Sequence, residues 1–186
     1  MEWEFDILYW FCDLHSQILD KVAMGFTLFA EKGIGWMVIM LLILLFAKNK
    51  KAGLTGWGAL VLSFLLCNLL LKHIVQRDRP CWIDPSIPLL VETPDDFSFP
   101  SGHTSFTFAA ATAIFQYYRG WGLLALLAAV MTGLSRLYLF VHFPTDVLAG
   151  AGVGVISGLL SGLLVRDFYR VHPDFKLPVL EKKDPH

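Results

Sequence analysis

The amino-acid sequence predicts an all-α fold, a polytopic integral-membrane bundle of about six transmembrane helices with its polar chemistry at the extracytoplasmic helix ends. Three observations carry this. Hydrophobic residues make up 55% of the 186 residues and charged residues only 17%, against about 25% charge in a soluble domain. The apolar residues are bunched into long runs free of Asp, Glu, Lys and Arg, each near the length a tilted membrane helix needs. The runs also lack the alternation of a membrane barrel strand. Backbone groups left unpaired in lipid are too costly, so helices remain. The formal net charge of −1 argues against a nucleic-acid binder, which carries a basic excess. One membrane-embedded domain over residues 1–186 is expected, with an interfacial helix and weak first span in 1–32, the polar motifs in 72–146 and a cytoplasmic tail in 167–186.

In chain order, Trp3, Phe5, Ile7, Leu8, Trp10 and Phe11 predict an interfacial amphipathic helix. The acidic start, with Glu2, Glu4, Asp6 and Asp13, does not read as a signal peptide. Val22–Ala30 forms the middle of a weak first span between Asp20/Lys21 and Glu31/Lys32. Gly33–Ala47 (GIGWMVIMLLILLFA) is short and intensely apolar, and Ala52–Leu71 follows as the next span. Gln76–Pro100 holds five prolines and predicts an irregular loop, long enough to suggest a functional one. Thr104–Tyr118, Gly120–Ser135 and Val147–Val165 are the remaining spans. After Arg166 the chain turns polar, with Pro173, Pro178 and Pro185, which reads as a helix extension and a loose end. Cys12, Cys67 and Cys81 show no disulfide or metal spacing, and Cys67 reads as a small core residue.

Basic residues orient the bundle. Lys48, Lys50, Lys51, Arg119, Arg166 and Arg170 fall in alternate loops and predict the cytoplasmic side, with the C-terminus there. The Gln76–Pro100 loop and the turn at His142 then face outward, in a multi-pass protein of the cell membrane. Gly150, Gly154, Gly158 and Gly162 recur every four residues and put one helix face within reach of a neighbouring backbone. Packing inside the bundle is the favoured use of that face, and an oligomer seam is the alternative.

Three polar clusters sit at predicted outer helix ends, where polar groups are costly and point to function. The first is Lys72 to Pro80, the second Pro100-Ser101-Gly102-His103, and the third Ser135-Arg136 with His142 and Asp146. Lys72, Arg79 and Arg136 bring three cations to one side, and the seven-residue step from Lys72 to Arg79 predicts a shared helical face. Arginine suits bidentate contact with phosphate, and lysine acts as a point charge. Ser101 has N-cap placement, Gly102 exposes its backbone, and such a helix start binds anions. Pro144 starts a helix, so Asp146 in its first turn can reach a ring nitrogen of His142 and leave the other free as nucleophile or base. His103 can serve as general acid. Singly, such residues read as snorkelling cations, packed histidines or a plain cap. Jointly, they read as a phosphotransfer site. A zinc site from His73, His103 and His142 matches no common spacing. His15, His172 and His186 read as surface residues, and Trp82, Phe97, Phe99, Tyr138 and Phe143 as interfacial aromatics or, alternatively, a tail entrance.

These motifs resemble the signature of the type 2 phosphatidic acid phosphatase superfamily, KX6RP, then PSGH, then SRX5HX3D. Lys72/Arg79/Pro80, Pro100–His103 and Ser135/Arg136/His142/Asp146 match it without departure. Soluble acid phosphatases and vanadium haloperoxidases share the motifs, but the apolar spans exclude those soluble forms. The resemblance implies that His142 attacks phosphorus to form a phosphohistidine, that Asp146 holds its tautomer and that His103 protonates the leaving oxygen. It implies that Lys72, Arg79, Ser101, Gly102 and Arg136 bind the phosphate, with no metal or other cofactor. The implied partner is a lipid phosphate from the bilayer. The short chain is similar to bacterial enzymes that dephosphorylate undecaprenyl diphosphate; related members act on phosphatidylglycerophosphate, phosphatidic acid or diacylglycerol diphosphate. A lipid-phosphate transporter or a lipid phosphotransferase are the alternatives.

Overall fold

The computed structural model describes residues 2–175, and among them every regular element is helical. Helices α1 (Glu2–Asp13) and α2 (Gln17–Ala30) precede a single 3-10 turn, Glu31–Gly33, that leads into α3 (Ile34–Phe46). Then α4 (Lys50–Ser63), a π-helical stretch (Phe64–Leu71) and α5 (Lys72–Val75) follow without a break. The long loop is irregular except for α6 (Pro80–Ile83). Three helices finish the bundle, α7 (Gly102–Tyr117), α8 (Arg119–Tyr138) and α9 (Pro144–Val171), the last extending the final apolar run as expected. The end of the expected tail, with Pro178, Pro185 and His186, lies outside the described residues.

Local chemistry sets the helix ends. The Ser16 hydroxyl accepts the Leu19 N–H at 3.4 Å to start α2, and the Asn49 side chain accepts the Lys51 N–H at 3.2 Å to start α4. Pro80 and Pro144 stand in the first turn of their helices, where no N–H is needed. Gly33 turns α2 into α3 at a φ of 72°, and a Cβ there would meet the Phe106 ring at 2.8 Å.

The interior follows membrane packing, with small residues inside and large ones outside. Ala52, Ala59, Ala109, Ala110, Ala113 and Ala129 are buried, whereas Ile18, Leu42, Leu123, Leu127, Leu148 and Leu164 are exposed. Helix α7 is central. It runs antiparallel to α4, with Ser63 against Ser105 and Thr55 against Tyr117. It runs parallel to α9, where Gly150, Gly154, Gly158 and Gly162 face Ser101, Ser105, Thr112 and Gln116 in rising order. The glycine face is therefore taken up inside the chain.

Lys50–Ile83, Arg119–Tyr138 and Pro144–Val171 are each long and apolar enough to cross a membrane. The α2–α3 pair makes a fourth if counted as one span bent by 56°. Among the described residues this is fewer than the six spans expected. Helices α2 and α3 run onward in one direction, from Ser16 beside Tyr138, through Trp36 on Thr107, to Leu44 against Gly53. A three-residue turn bends the chain there without reversing it. Helix α7, at 16 residues, falls short of the usual span length. Helix α1 supplies no passage. It packs Leu8 and Phe5 onto the segment between α8 and α9, with Leu139, Phe140, Val141 and Phe143.

Candidate active site

The three polar motifs meet at one end of the bundle, built from the start of α5, the long loop, the start of α7, the last turn of α8 and the α8–α9 turn. Lys72 and Arg79 reach the site by a route the spacing did not predict. The helix stops at Val75, Gln76 turns left-handed at φ 47°, and Arg79 is extended. The pair still converges, because both grip the carboxylate of Asp96. The Arg79 Nε donates to the Asp96 carbonyl at 2.7 Å, and its Nη1 donates to the Val141 carbonyl at 2.7 Å and lies 3.1 Å from His142 Nε2. Burial alone would raise the Asp96 carboxyl, but the Lys72 hydrogen bond and the charges of Lys72 and Arg79 outweigh it and hold it at about 2. The third cation, Arg136, is buried; its Nη1 donates to Thr27 Oγ1 at 3.1 Å, and its Nε meets no acceptor among the described residues. With a free donor on Arg136 and a carboxylate already gripped by Lys72 and Arg79, these three side chains have the chemistry to hold an oxyanion.

Ser101 stands at the N-cap position of α7, but its hydroxyl caps nothing. It accepts from Thr104 Oγ1 at 2.9 Å, and its N–H donates to the Asp146 carbonyl at 3.0 Å, tying the second motif to the third. Gly102 opens α7 beside Asn68 of the π-helical stretch, whose Oδ1 would lie 3.3 Å from an added Cβ. His103 Nε2 lies 3.3 Å from Glu31 Oε2 at the α2–α3 bend.

The His142–Asp146 couple is indirect. Nδ1 is 3.7 Å from Asp146 Oδ2, beyond hydrogen-bonding reach. The Ser98 hydroxyl stands between them, donating to Oδ2 and 3.4 Å from Nδ1. Asp146 cannot turn further, since Oδ2 also takes the Phe143 N–H at 2.8 Å and Oδ1 takes Arg77 Nη1 at 2.7 Å. Burial, then the charges of Arg79, Arg136, Lys72 and His103, push the His142 imidazole well below its ordinary 6.5. It is neutral, the form with a nucleophilic lone pair.

Sequence reasoning missed Asp96, Ser98, Arg77, Glu31 and Glu4. Asp96 and Ser98 sat in the loop marked as functional, but nothing local distinguished them from Asp95 or Ser86. The aromatics also resolve differently. Tyr138 and Phe143 are buried under α1 rather than interfacial, and Trp82 meets Phe97 edge-on at 6.3 Å and donates to the Pro94 carbonyl at 3.0 Å, closing the loop on itself. His15 is half-buried and stacks on Tyr138 at 4.4 Å, so it is no plain surface residue, while His73 and His172 are exposed. Taken together, the arrangement can grip a tetrahedral anion, present a neutral imidazole to it and set a second imidazole, that of His103, beside Glu31.

Comparison with known proteins finds a matching family and relatives named as phosphatases. The family model described as the PAP2 superfamily matches residues 52–170. The chain is 36% identical over 155 residues to a decaprenylphosphoryl-5-phosphoribose phosphatase of Mycobacterium tuberculosis, covering 79% of this chain and 84% of that one. It is 29% identical over 152 residues to the undecaprenyl-diphosphatase BcrC of Bacillus subtilis, covering 78% and 75%. A crystal structure of a transmembrane PAP2-type phosphatidylglycerolphosphate phosphatase from Bacillus subtilis superposes with a TM-score of 0.71 at 26% identity, covering 94% of this chain and 88% of that one.

Proposed function

The chain belongs to the PAP2 superfamily, and from that premise we propose that it is a lipid diphosphate phosphatase of the cell membrane whose substrate is undecaprenyl diphosphate. The observation that carries the reading is the geometry of His142, its Nε2 3.1 Å from Arg79 Nη1, beside the cationic cradle. The relative named undecaprenyl-diphosphatase supports the choice of lipid.

In this reading Lys72, Arg79, Arg136, Ser101 and the Gly102 backbone bind the terminal phosphoryl group and its transition-state charge, the dominant source of catalysis in phosphoryl transfer. Asp96 yields its place in the cradle to the phosphate. His142 Nε2 then attacks phosphorus, and the bond to the bridging oxygen breaks. His103, paired with Glu31, delivers its proton to that oxygen, so the lipid monophosphate departs. His103 next takes a proton from water, whose oxygen attacks the phosphohistidine, releasing inorganic phosphate and free His142. Asp146, through Ser98, keeps the His142 ring in the tautomer that leaves Nε2 unprotonated.

The reading places the site on the extracytoplasmic side and the C-terminus in the cytoplasm. The basic residues support this, as they gather at the far end of the bundle. Lys51 lies 4.3 Å over the Tyr169 ring, beside the end of α9, and Arg119 opens α8.

The test is phosphate release in detergent from undecaprenyl diphosphate, phosphatidylglycerophosphate, phosphatidic acid and diacylglycerol diphosphate, with and without EDTA and an acceptor lipid. Undecaprenyl diphosphate should give the highest kcat/KM, EDTA should leave it unchanged, and His142→Ala should abolish it while inserting normally. Full activity of His142→Ala would refute the mechanism. A preference for phosphatidylglycerophosphate would move the substrate toward that of the structural neighbour, and phosphorylated acceptor would make the protein a phosphotransferase.

A further inference from the structure

Helix α1 lies outside all three motifs, yet it buries an acid. Glu4 is only 4% exposed. A carboxylate removed from water needs a partner, and Glu4 has three contacts. Its Oε2 takes Arg77 Nη2 at 2.6 Å, and its Oε1 takes the Thr145 hydroxyl at 2.6 Å and the Thr145 N–H at 3.4 Å, in the first turn of α9. The other nitrogen of the same guanidinium, Nη1, donates to Asp146 Oδ1 at 2.7 Å and to Thr145 Oγ1 at 2.7 Å. The Arg77 guanidinium also lies 4.0 Å over the Phe143 ring, and its own carbonyl accepts the Ser98 N–H at 2.8 Å. Arg77 is thus held from four sides, and it touches Asp146 and the backbone of Ser98, the two groups behind His142.

Asp146 has no exposed surface, and its remaining donors, Ser98 and the Phe143 N–H, are neutral. His142 is neutral too. The positive charge that pairs with this carboxylate is Arg77, while Lys72, Arg79 and Arg136 are committed to the cradle. A directly bonded guanidinium fixes the direction in which such a buried carboxylate points.

We propose that Arg77 is a positioning residue for the hydrolysis, holding the Asp146 carboxylate aimed at the Ser98–His142 couple, and that Glu4 fixes Arg77 there, making the first helix part of the working site. The inference rests on the proposed phosphatase reaction. Arg77 acts through Asp146 and does not touch the cradle, so its loss should lower kcat and spare KM.

The experiment compares the native chain with Arg77→Ala, Glu4→Gln and the double variant in detergent, using undecaprenyl diphosphate, with and without methylguanidine. Arg77→Ala should lose about a hundredfold in kcat with KM within about threefold, and methylguanidine should restore at least about tenfold of it. Glu4→Gln, nearly isosteric, should lose about tenfold alone and nothing further on top of Arg77→Ala, since it acts through the same residue. A general packing role would give neither rescue nor this non-additivity. The inference is overturned by an Arg77→Ala chain whose kcat stays within threefold of native. It is overturned equally by a loss that methylguanidine leaves untouched and to which Glu4→Gln adds in full. A native chain that releases no phosphate would instead sink the function, and the native control separates the two failures.

Discussion

Replacing Gly154 by alanine should damage both the bundle and the site, while the same change two residues earlier should do neither. A Cβ on Gly154 would lie 2.4 Å from the Ser105 carbonyl oxygen, 2.7 Å from Phe108 Cβ and 2.9 Å from the Ala109 nitrogen. Two of those three atoms are backbone, so relief requires α7 and α9 to part by about 1 Å. Overpacking of this kind costs roughly 1–3 kcal/mol, and alanine's better helix propensity returns about 1 kcal/mol. The net loss of up to about 2 kcal/mol corresponds to a fall in Tm of up to about 8 °C for a chain of this size. Helix α7 starts with Ser101 and His103 at the site, and α9 follows directly on His142. The same displacement therefore misaligns the general acid and the nucleophile, and a shift approaching 1 Å can cost about a hundredfold; about tenfold in kcat is expected here. Gly152 has nothing within 4 Å of its would-be Cβ, so Gly152→Ala should keep native kcat and an unchanged or slightly higher Tm. The assay is thermal unfolding in detergent alongside initial rates of phosphate release. Equal behaviour of the two variants would refute the claim that contact between α7 and the glycine face of α9 sets the site geometry.

Four further outcomes can be checked. Asp96→Asn removes the anion that competes for Lys72 and Arg79, so inorganic phosphate should inhibit severalfold more tightly; unchanged inhibition would show that Asp96 does not compete. Because the Asp96 carboxyl falls from 3.8 to about 2 on folding, its contribution is present above 3.8 and is lost as pH falls toward 2. The shift corresponds to at most ~2.5 kcal/mol, cut to about 1 kcal/mol because half the side chain meets solvent, and the native chain should lose that margin over Asp96→Asn in acid melts. Ser98→Ala breaks the bridge between His142 and Asp146 and should lower kcat about tenfold at constant KM, and a native rate would mean the two residues couple directly. Glu31→Gln removes the charge beside His103, so kcat should fall severalfold, most for lipids with poor leaving groups; a uniform or absent effect would exclude Glu31 from leaving-group protonation.

Much of this was legible in the sequence because it is local. The span from Ala52 to Leu71 declares itself by the absence of charge, and the three motifs declare themselves by spacing. What could not be read depends on where the chain goes after a break. Whether Val22–Ala30 and Gly33–Ala47 form two spans or one bent passage turns on the geometry of Gly33 against Phe106, two residues far apart in sequence. The helical face expected for Lys72 and Arg79 failed at one residue, Gln76, whose left-handed backbone is not a glycine's and gives no signal. The missed site residues share a cause. Glu4 meets Arg77 across 73 residues and Glu31 meets His103 across 72, so each contact exists only once the passages are packed. The direct His142–Asp146 bond expected from the i, i+4 spacing gave way because Phe143, Arg77 and Ser98 claim the carboxylate first.

The parallel seating of α7 on α9 has an electrostatic consequence. Two helices pressed together in the same direction align their macrodipoles, each carrying about half a positive charge at its N-terminus, and side by side such dipoles repel. The close glycine contact keeps them together despite that, and both positive poles end at the same point, on either side of His142. The antiparallel α8 brings its negative pole to that point, where Arg136 in its last turn offsets it. Near a hydrocarbon layer little salt or water screens such a field. A chain with a formal net charge of −1 therefore shows an arriving anionic headgroup a concentrated positive pole, made in part by backbone amides that no count of lysines and arginines includes.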